Sequence, residues 1–212
     1  MGFQFRAAPV AFIVFAATFG FCGVSLGDEA PVVGNVQKAR PVSASRFAGR
    51  ERPLEAGTEV HRDEQLWTGA GGRLQLTLSD GSTVDLGENA RLVLDDFVLP
   101  QGATPASLLI RSISGAFRFT GGAIDQASAG AVRIVTPVAV MTVRGTDFFA
   151  GPIDGAFGVF VFHGNVQVAT AGGSASLTDG EGTSVKSSSD APGPIKRWPP
   201  DKIARAEALV GF

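Results

Sequence analysis

The stretch "LQLTLSDGSTVDL", Leu74 to Leu86, alternates apolar and polar residues on both sides of an Asp-Gly pair. Leu74, Leu76 and Leu78 share one side of an extended chain, as do Val84 and Leu86. A period of two is the mark of a strand with one face in a core. Asp80-Gly81 supplies the turn, because a tight hairpin connection needs the positive φ that glycine tolerates. The reading is a β-hairpin.

The same texture extends outward in both directions. Leu92 and Leu94 continue the alternation, and "SLLIRSISGAFRFTGG", "GAVRIVTPVAVMTVRGTDFFAG", "AFGVFVFHGNVQVATAGG" and "SASLTDGEGTSVKS" are strand-length runs bounded by Gly, Pro, Ser, Asn or Asp. Between residues 51 and 186 no apolar pattern of helical period persists over a dozen positions. The predicted class is all-β, with short antiparallel strands forming a jelly-roll or sandwich-like domain or a short β-solenoid. "LTLSDGSTVDLGENA" and "SASLTDGEGTSVKSS" read as two beats of one hairpin pattern. Residues 28–50, with two prolines and no sustained period, read as an extended lead-in. Residues 187–212 read as a Ser/Pro/Gly linker followed by a short helix that starts at Pro200 or Asp201. Its face of Ile203, Ala206, Leu209 and Val210 is expected to dock on the β-domain with Trp198.

The chain has 212 residues, 44% hydrophobic and 18% charged, with a formal net charge of −2. That is enough for one domain with a real core, and it carries no electrostatic footprint for nucleic acid. The N-terminus has a charge at Arg6, an apolar run from Ala7 to about Leu26, and then Asp28 and Glu29. Ser25 and Gly27 occupy the −3 and −1 positions of a cleavage site, so residues 1–27 read as a signal peptide. The competing reading is an uncleaved anchor, and membrane contact is expected only in that case. Cys22, the sole cysteine, lies inside this segment with Phe21 before it, which does not fit a lipidation signal. The mature chain would hold no disulfide and no thiolate site.

The chemistry-bearing residues are sparse. His61 and His163 stand in no metal-ligand spacing, and no Gly-x-Ser-x-Gly elbow is present. Asp80, Asp85, Glu88, Asp95 and Asp96 match no calcium loop and read as solvated turn and edge charges. Phe117, Phe119, Phe148, Phe149, Phe160 and Phe162 read as core. An aromatic sugar platform would have to use Trp67 or Trp198, each alone. No cofactor and no catalytic residue is expected.

One stretch interrupts the pattern: "TPVAVMTVRGTDFFAG", Thr136 to Gly151, sets Arg144, Gly145, Thr146 and Asp147 between apolar runs. On a continuous strand Asp147 would fall in line with core residues Met141 and Val143. A bulge at Gly145 corrects that register, and Arg144 is expected to pair with Asp147 as the lock that holds it. Arg144→Ala is then expected to lower stability more than binding.

These residues also carry a resemblance. "TPVAVMTVRGTDF" (Thr136, Pro137, Arg144, Gly145, Thr146, Asp147 and Phe148 among them) resembles the signature of the FecR domain family. "LWTGAGGRLQLTLSDGSTVDLGENARLVL", which contains the Asp80-Gly81 turn, and "VFVFHGNVQVATAGGSASLTDGEGTSV" resemble flanking motifs of that family in the same order, so that the likeness spans about residues 52–186. The family's namesake is a regulator whose cytoplasmic region binds a sigma factor and whose periplasmic part receives a signal from an outer-membrane iron-siderophore receptor. The resemblance implies here an exported FecR-type β-domain, residues 51–186, without the sigma-binding region and without catalytic residues. It implies a periplasmic or secreted protein that binds an envelope protein or cell-wall component in signalling. A glycan or peptidoglycan binding module is the alternative.

Overall fold

The computed structural model describes residues 1–2, 30–99, 105–128 and 130–212, so the predicted export segment lies outside it except for its first two residues. Sixteen strands and two helices are formed by the described residues. The first group is β1 (Val32–Arg40), β2 (Ser43–Phe47), β3 (Arg50–Pro53), β4 (Glu59–His61) and β5 (Gln65–Thr68). The predicted hairpin follows as β6 (Arg73–Leu78) and β7 (Thr83–Leu86), and then β8 (Arg91–Val98), β9 (Ser107–Ser114) and β10 (Phe117–Thr120). A short helix α1 (Ala123–Ala127) leads to β11 (Val132–Val135), β12 (Val140–Ile153) and β13 (Ala156–Thr170). The chain ends with β14 (Gly173–Leu177), β15 (Glu181–Val185), β16 (Lys196–Arg197) and α2 (Pro200–Val210).

All the strands belong to one sheet, in which β3-β2-β5-β8-β9-β11 lead to β12, and β10-β7-β6-β1-β4 lead away from it. The two runs join different halves of β12: Val140–Val143 pair with β11, and Asp147–Ala150 pair with β10. The sheet therefore folds on itself at the middle of β12 into two limbs. Leu92, Leu94, Ile110 and Ile134 of one limb share a single core cluster with Leu74, Leu76, Leu86 and Phe119 of the other. This is a sandwich made by bending strands, consistent with the all-β expectation.

The alternation read in the sequence is what builds this core. Leu74, Leu76 and Leu78 are 0%, 0% and 2% exposed, while Arg73, Gln75 and Thr77 between them are half-buried. Each such side chain contributes on the order of 1.5–3 kcal/mol.

Three expectations are corrected. Residues 28–50 are not a lead-in: β1 lies between β6 and β4, with Val33 and Val36 each 1% exposed, and β3 crosses the expected boundary at residue 51. Their small and polar residues hide the period because β1 is bulged between Val36 and Lys38. The second hairpin beat is absent, since β14 and β15 both pair with β13 rather than with each other. A helix interrupts 51–186 as α1, five residues long and too short to show a period.

The outer face of the second limb is covered. Trp198 stacks on Phe160 at 5.0 Å and meets Phe149 edge-on at 6.4 Å, and Ala206 and Val210 of α2 complete this second cluster with Ile203 and Leu209 at its rim. Arg73 of β6 donates to the carbonyls of Gly211 (3.1 Å) and Ala208 (3.4 Å), satisfying acceptors that a helix C-terminus leaves free. No helix among the described residues is long and apolar enough to cross a membrane.

Candidate functional site

The signature stretch lies on the fold line itself. On β12 two residues, Gly145 and Thr146, oppose the single Gly164 of β13, and Phe162 is then the extra residue on β13 between the pairs Asp147–His163 and Phe148–Val161. The two irregularities compensate, so the strands leave the corner in the register in which they entered it. Each strand nevertheless reverses the parity of its core face: Met141 and Val143 are followed by Phe148 and Ala150, and Val168 and Val166 by Val161 and Val159. A bulge bends and twists a strand, and two opposed bulges turn the hairpin without sliding it. Gly145 and Gly164 have φ of +58° and +90°, in the left-handed region that glycine tolerates. Gly164 has a second constraint, because a Cβ there would sit 2.1 Å from the Gly145 carbonyl oxygen.

Thr146 fastens the corner. Its hydroxyl donates to the Asn165 carbonyl (3.0 Å) and accepts from the Arg144 N–H (2.9 Å). Its own N–H donates to Asp125 Oδ2 of α1 (2.8 Å), and its carbonyl accepts from the Gly121 N–H (2.8 Å). From α1 the network reaches the Asp80-Gly81 turn. Asp80 Oδ2 accepts from the Ile124 N–H (3.2 Å) and from the Ser82 hydroxyl (2.8 Å), and its carbonyl accepts from the Ala123 N–H (2.9 Å). Ser82 Oγ in turn accepts from the Gly122 N–H (2.9 Å). Asp80 thus caps a helix that follows it by some forty residues, which places a carboxylate where free N–H groups need one. Asp80, Ser82, Asp125 and Thr146 are 9%, 0%, 1% and 3% exposed, so Asp80 is a buried structural acid and not the solvated turn charge expected.

Asp125 is the group under most tension in this network. Burial pushes its carboxyl up from the ordinary value of 3.8, the N–H groups of Thr146 and Gly145 pull it down, and Asp80 nearby raises it again. Its Oδ1 is buried with no hydrogen-bond partner among the described residues. Sequence reasoning missed Asp125 and Ser82. The Gly121-Gly122 doublet after a strand run was the available signal, since paired glycines mark close backbone approach, and a Cβ at Gly122 would lie 2.4 Å from both the Asp80 carbonyl oxygen and the Ser82 nitrogen.

The expected Arg144–Asp147 pair is not formed. Asp147 is held by Arg118 of β10, Nε to Oδ1 and Nη2 to Oδ2, each at 2.7 Å. Arg118 also lies 4.2 Å from the centroid of Phe162, the extra residue of the β13 irregularity. The bulge takes Asp147 off the core face and onto the outer face, where Arg118 projects from the paired strand β10. Arg144 and Gly145 are exposed, and among the described residues Arg144 makes no ion pair. Thr136 acts elsewhere on the strand. Its hydroxyl donates to the Ala139 carbonyl (2.9 Å) and accepts from the Ala139 N–H (3.0 Å), closing the β11–β12 turn with Pro137 exposed at its tip.

Away from the corner, His61 stacks on Phe47 at 4.2 Å and lies 3.4 Å from the buried Glu64, while the exposed His163 is 3.2 Å from Asp179. Neither has a hydroxyl among its hydrogen-bond partners in the described residues. No three His, Cys, Asp or Glu side chains among the described residues gather to hold a metal ion. Trp67 lines a shallow surface pocket of about 260 Å³ with Asn89, Arg91 and Ser114.

Fold and network together define an all-β domain whose most distinctive residues fix a corner shared by two limbs. Residues 64–167, from the end of the β4–β5 turn through the corner, match the family described as FecR protein. The match is narrower than the likeness read in the sequence. In fold, the chain is similar to a crystal structure of a presumed anti-sigma factor from Parabacteroides distasonis ATCC 8503, at 22% identity and a TM-score of 0.51, covering 66% of this chain and 62% of that one. A second crystal structure so described, from the same organism, aligns at 19% identity and a TM-score of 0.49 with the same coverage. No curated protein matches the chain.

Proposed function

We propose that this protein is an exported, non-catalytic FecR-type module that binds a protein partner of the cell envelope in signalling. The observation that carries the reading is the FecR match over residues 64–167, a region whose signature residues are occupied in holding the corner. A domain that commits these polar groups to its own architecture offers its surface, and not a reactive centre, to other molecules. The N-terminal apolar segment with its Ser25/Gly27 cleavage pattern directs the protein to the periplasm or beyond.

Fractionation of a C-terminally tagged chain, with N-terminal sequencing, tests the location: residence in the envelope fraction with Asp28 as first residue is expected, and cytoplasmic residence overturns the reading. A second reading, a glycan or peptidoglycan binding module, draws on the pocket at Trp67 with its polar neighbours Asn89, Arg91 and Ser114. Sedimentation with purified peptidoglycan that is abolished by Trp67→Ala would establish it.

A further inference from the structure

Resting on the protein-partner reading, we infer that the bare outer face of the first limb, together with its free edge β14, is a docking surface for an extended acidic segment of that partner. Among the described residues four strands of the sheet have no second neighbour: β3, β4, β14 and β16. Natural edges are blunted by charge, proline or brevity. β3 reads Arg-Glu-Arg-Pro, β4 is three residues long and β16 is two. β14 is five residues, Gly-Ser-Ala-Ser-Leu, with no charge and no proline, and it pairs with β13 alone. Its regular register leaves a row of backbone N–H and C=O groups pointing away from β13, the template that β-augmentation uses.

The face beside that edge specifies the partner's charge. The outer face of the second limb is covered by α2 and Trp198, whereas among the described residues no helix packs on the outward side chains of β9, β11 and the first-limb parts of β12 and β13. Arg133 and Arg144 are exposed there and have no carboxylate partner among the described residues. Arg111 on the same face shows what such an arginine binds, donating to the Asp95 carboxylate from Nε at 2.8 Å and from Nη2 at 2.6 Å. Within the first limb, the outward side chains of β11, of residues 140–144 of β12, of residues 165–170 of β13 and of β14 include no acid, in a chain whose net charge is −2. Half-buried Leu109 stands beside Arg133, and half-buried Val135 and Val140 continue the row of Arg111, each about one 4.8 Å strand repeat from its neighbour. Arginine forks interleaved with aliphatic groups match a polypeptide bearing both carboxylates and apolar side chains. A sugar or lipid headgroup would use the cations and leave the aliphatics and the free amide row unmatched.

The test places a photo-crosslinking amino acid at Ser176 on the β14 edge and, separately, at Glu207 on α2 over the opposite limb, in the full chain in living cells. Adducts from position 176 should map by mass spectrometry to a protein segment of net negative charge. They should fall about tenfold or more in Arg133→Glu/Arg144→Glu. A proline at Ser174 or Ala175 should act likewise; adjacent N–H groups alternate, so the position whose proline leaves the melting temperature unchanged is the outward one. Adducts that persist in these variants, or that map to lipid, glycan or a segment without acids, overturn the inference. Adducts from Glu207 only would overturn this surface and leave the protein-partner reading standing. None from either site would overturn both.

Discussion

Replacing Arg118 and Arg144 one at a time separates the two accounts of the signature. The sequence alone points to Arg144 as the partner of Asp147, whereas the structure gives that place to Arg118. Arg118→Ala removes a bidentate charge-assisted pair, worth about 1.5–3 kcal/mol. The two side chains are 29% and 22% exposed, so solvent screens part of that. The cation–π contact with Phe162 adds about 0.5–1 kcal/mol. The expected loss is about 2–3 kcal/mol, or a fall in melting temperature of about 5–10 °C for a domain of this size. Arg144→Ala removes an exposed side chain without an ion pair and should change stability by less than about 0.5 kcal/mol. Urea titration of the mature chain measures both, and a cycle completed with Asp147→Asn should return coupling for Arg118 and none for Arg144. A larger loss for Arg144→Ala, or equal losses, would refute the assignment of the corner's ion pair.

Further outcomes follow from the same geometry. Gly164→Ala combines a positive φ with a Cβ 2.1 Å from the Gly145 oxygen and should cost about 3 kcal/mol or more, whereas Gly145→Ala, with open space around it, should cost only about 1–2 kcal/mol; thermal melts that rank the two in reverse contradict the corner geometry. Because burial holds the Asp125 carboxyl above 3.8 in the folded chain, its contribution is fully present below that value and is lost as pH rises through the folded value. Asp125→Asn should therefore flatten the stability-versus-pH curve on the side above 3.8, and an unchanged curve would show that Asp125 does not titrate with folding. Trp198→Ala should cost about 3–4 kcal/mol and increase binding of a hydrophobic dye as Phe149 and Phe160 lose their cover, while an unaltered dye signal would show that α2 does not depend on Trp198.

The readings that succeeded rest on local rules. Alternation in "LQLTLSDGSTVDL" places Leu74, Leu76, Leu78, Val84 and Leu86 in the core because a strand's period is two, whatever it packs against. Asp80-Gly81 is a turn because φ of +85° at Gly81 belongs to glycine. The helix at Pro200–Val210 and its apolar face follow from the same kind of rule. The bulge at Gly145 was legible too, since an acid in line with Met141 and Val143 demands a change of register.

What the sequence could not supply is who meets whom. Asp147 has an arginine three residues before it and another twenty-nine before it, and only the pairing of β10 with β12 selects the distant one. Asp80 reads as a solvated turn acid until the sheet brings the α1 N–H groups to it. The two Asp-Gly motifs look alike, yet one closes a hairpin and the other follows the bend of β13, because the partner strand, not the dipeptide, decides what a turn joins. Strand periodicity, turn type and helix face are fixed by covalent geometry and near neighbours, so the sequence by itself determined them. The corner network, the cover on one limb and the open edge on the other arise from contacts between distant segments, and those only the tertiary structure decided.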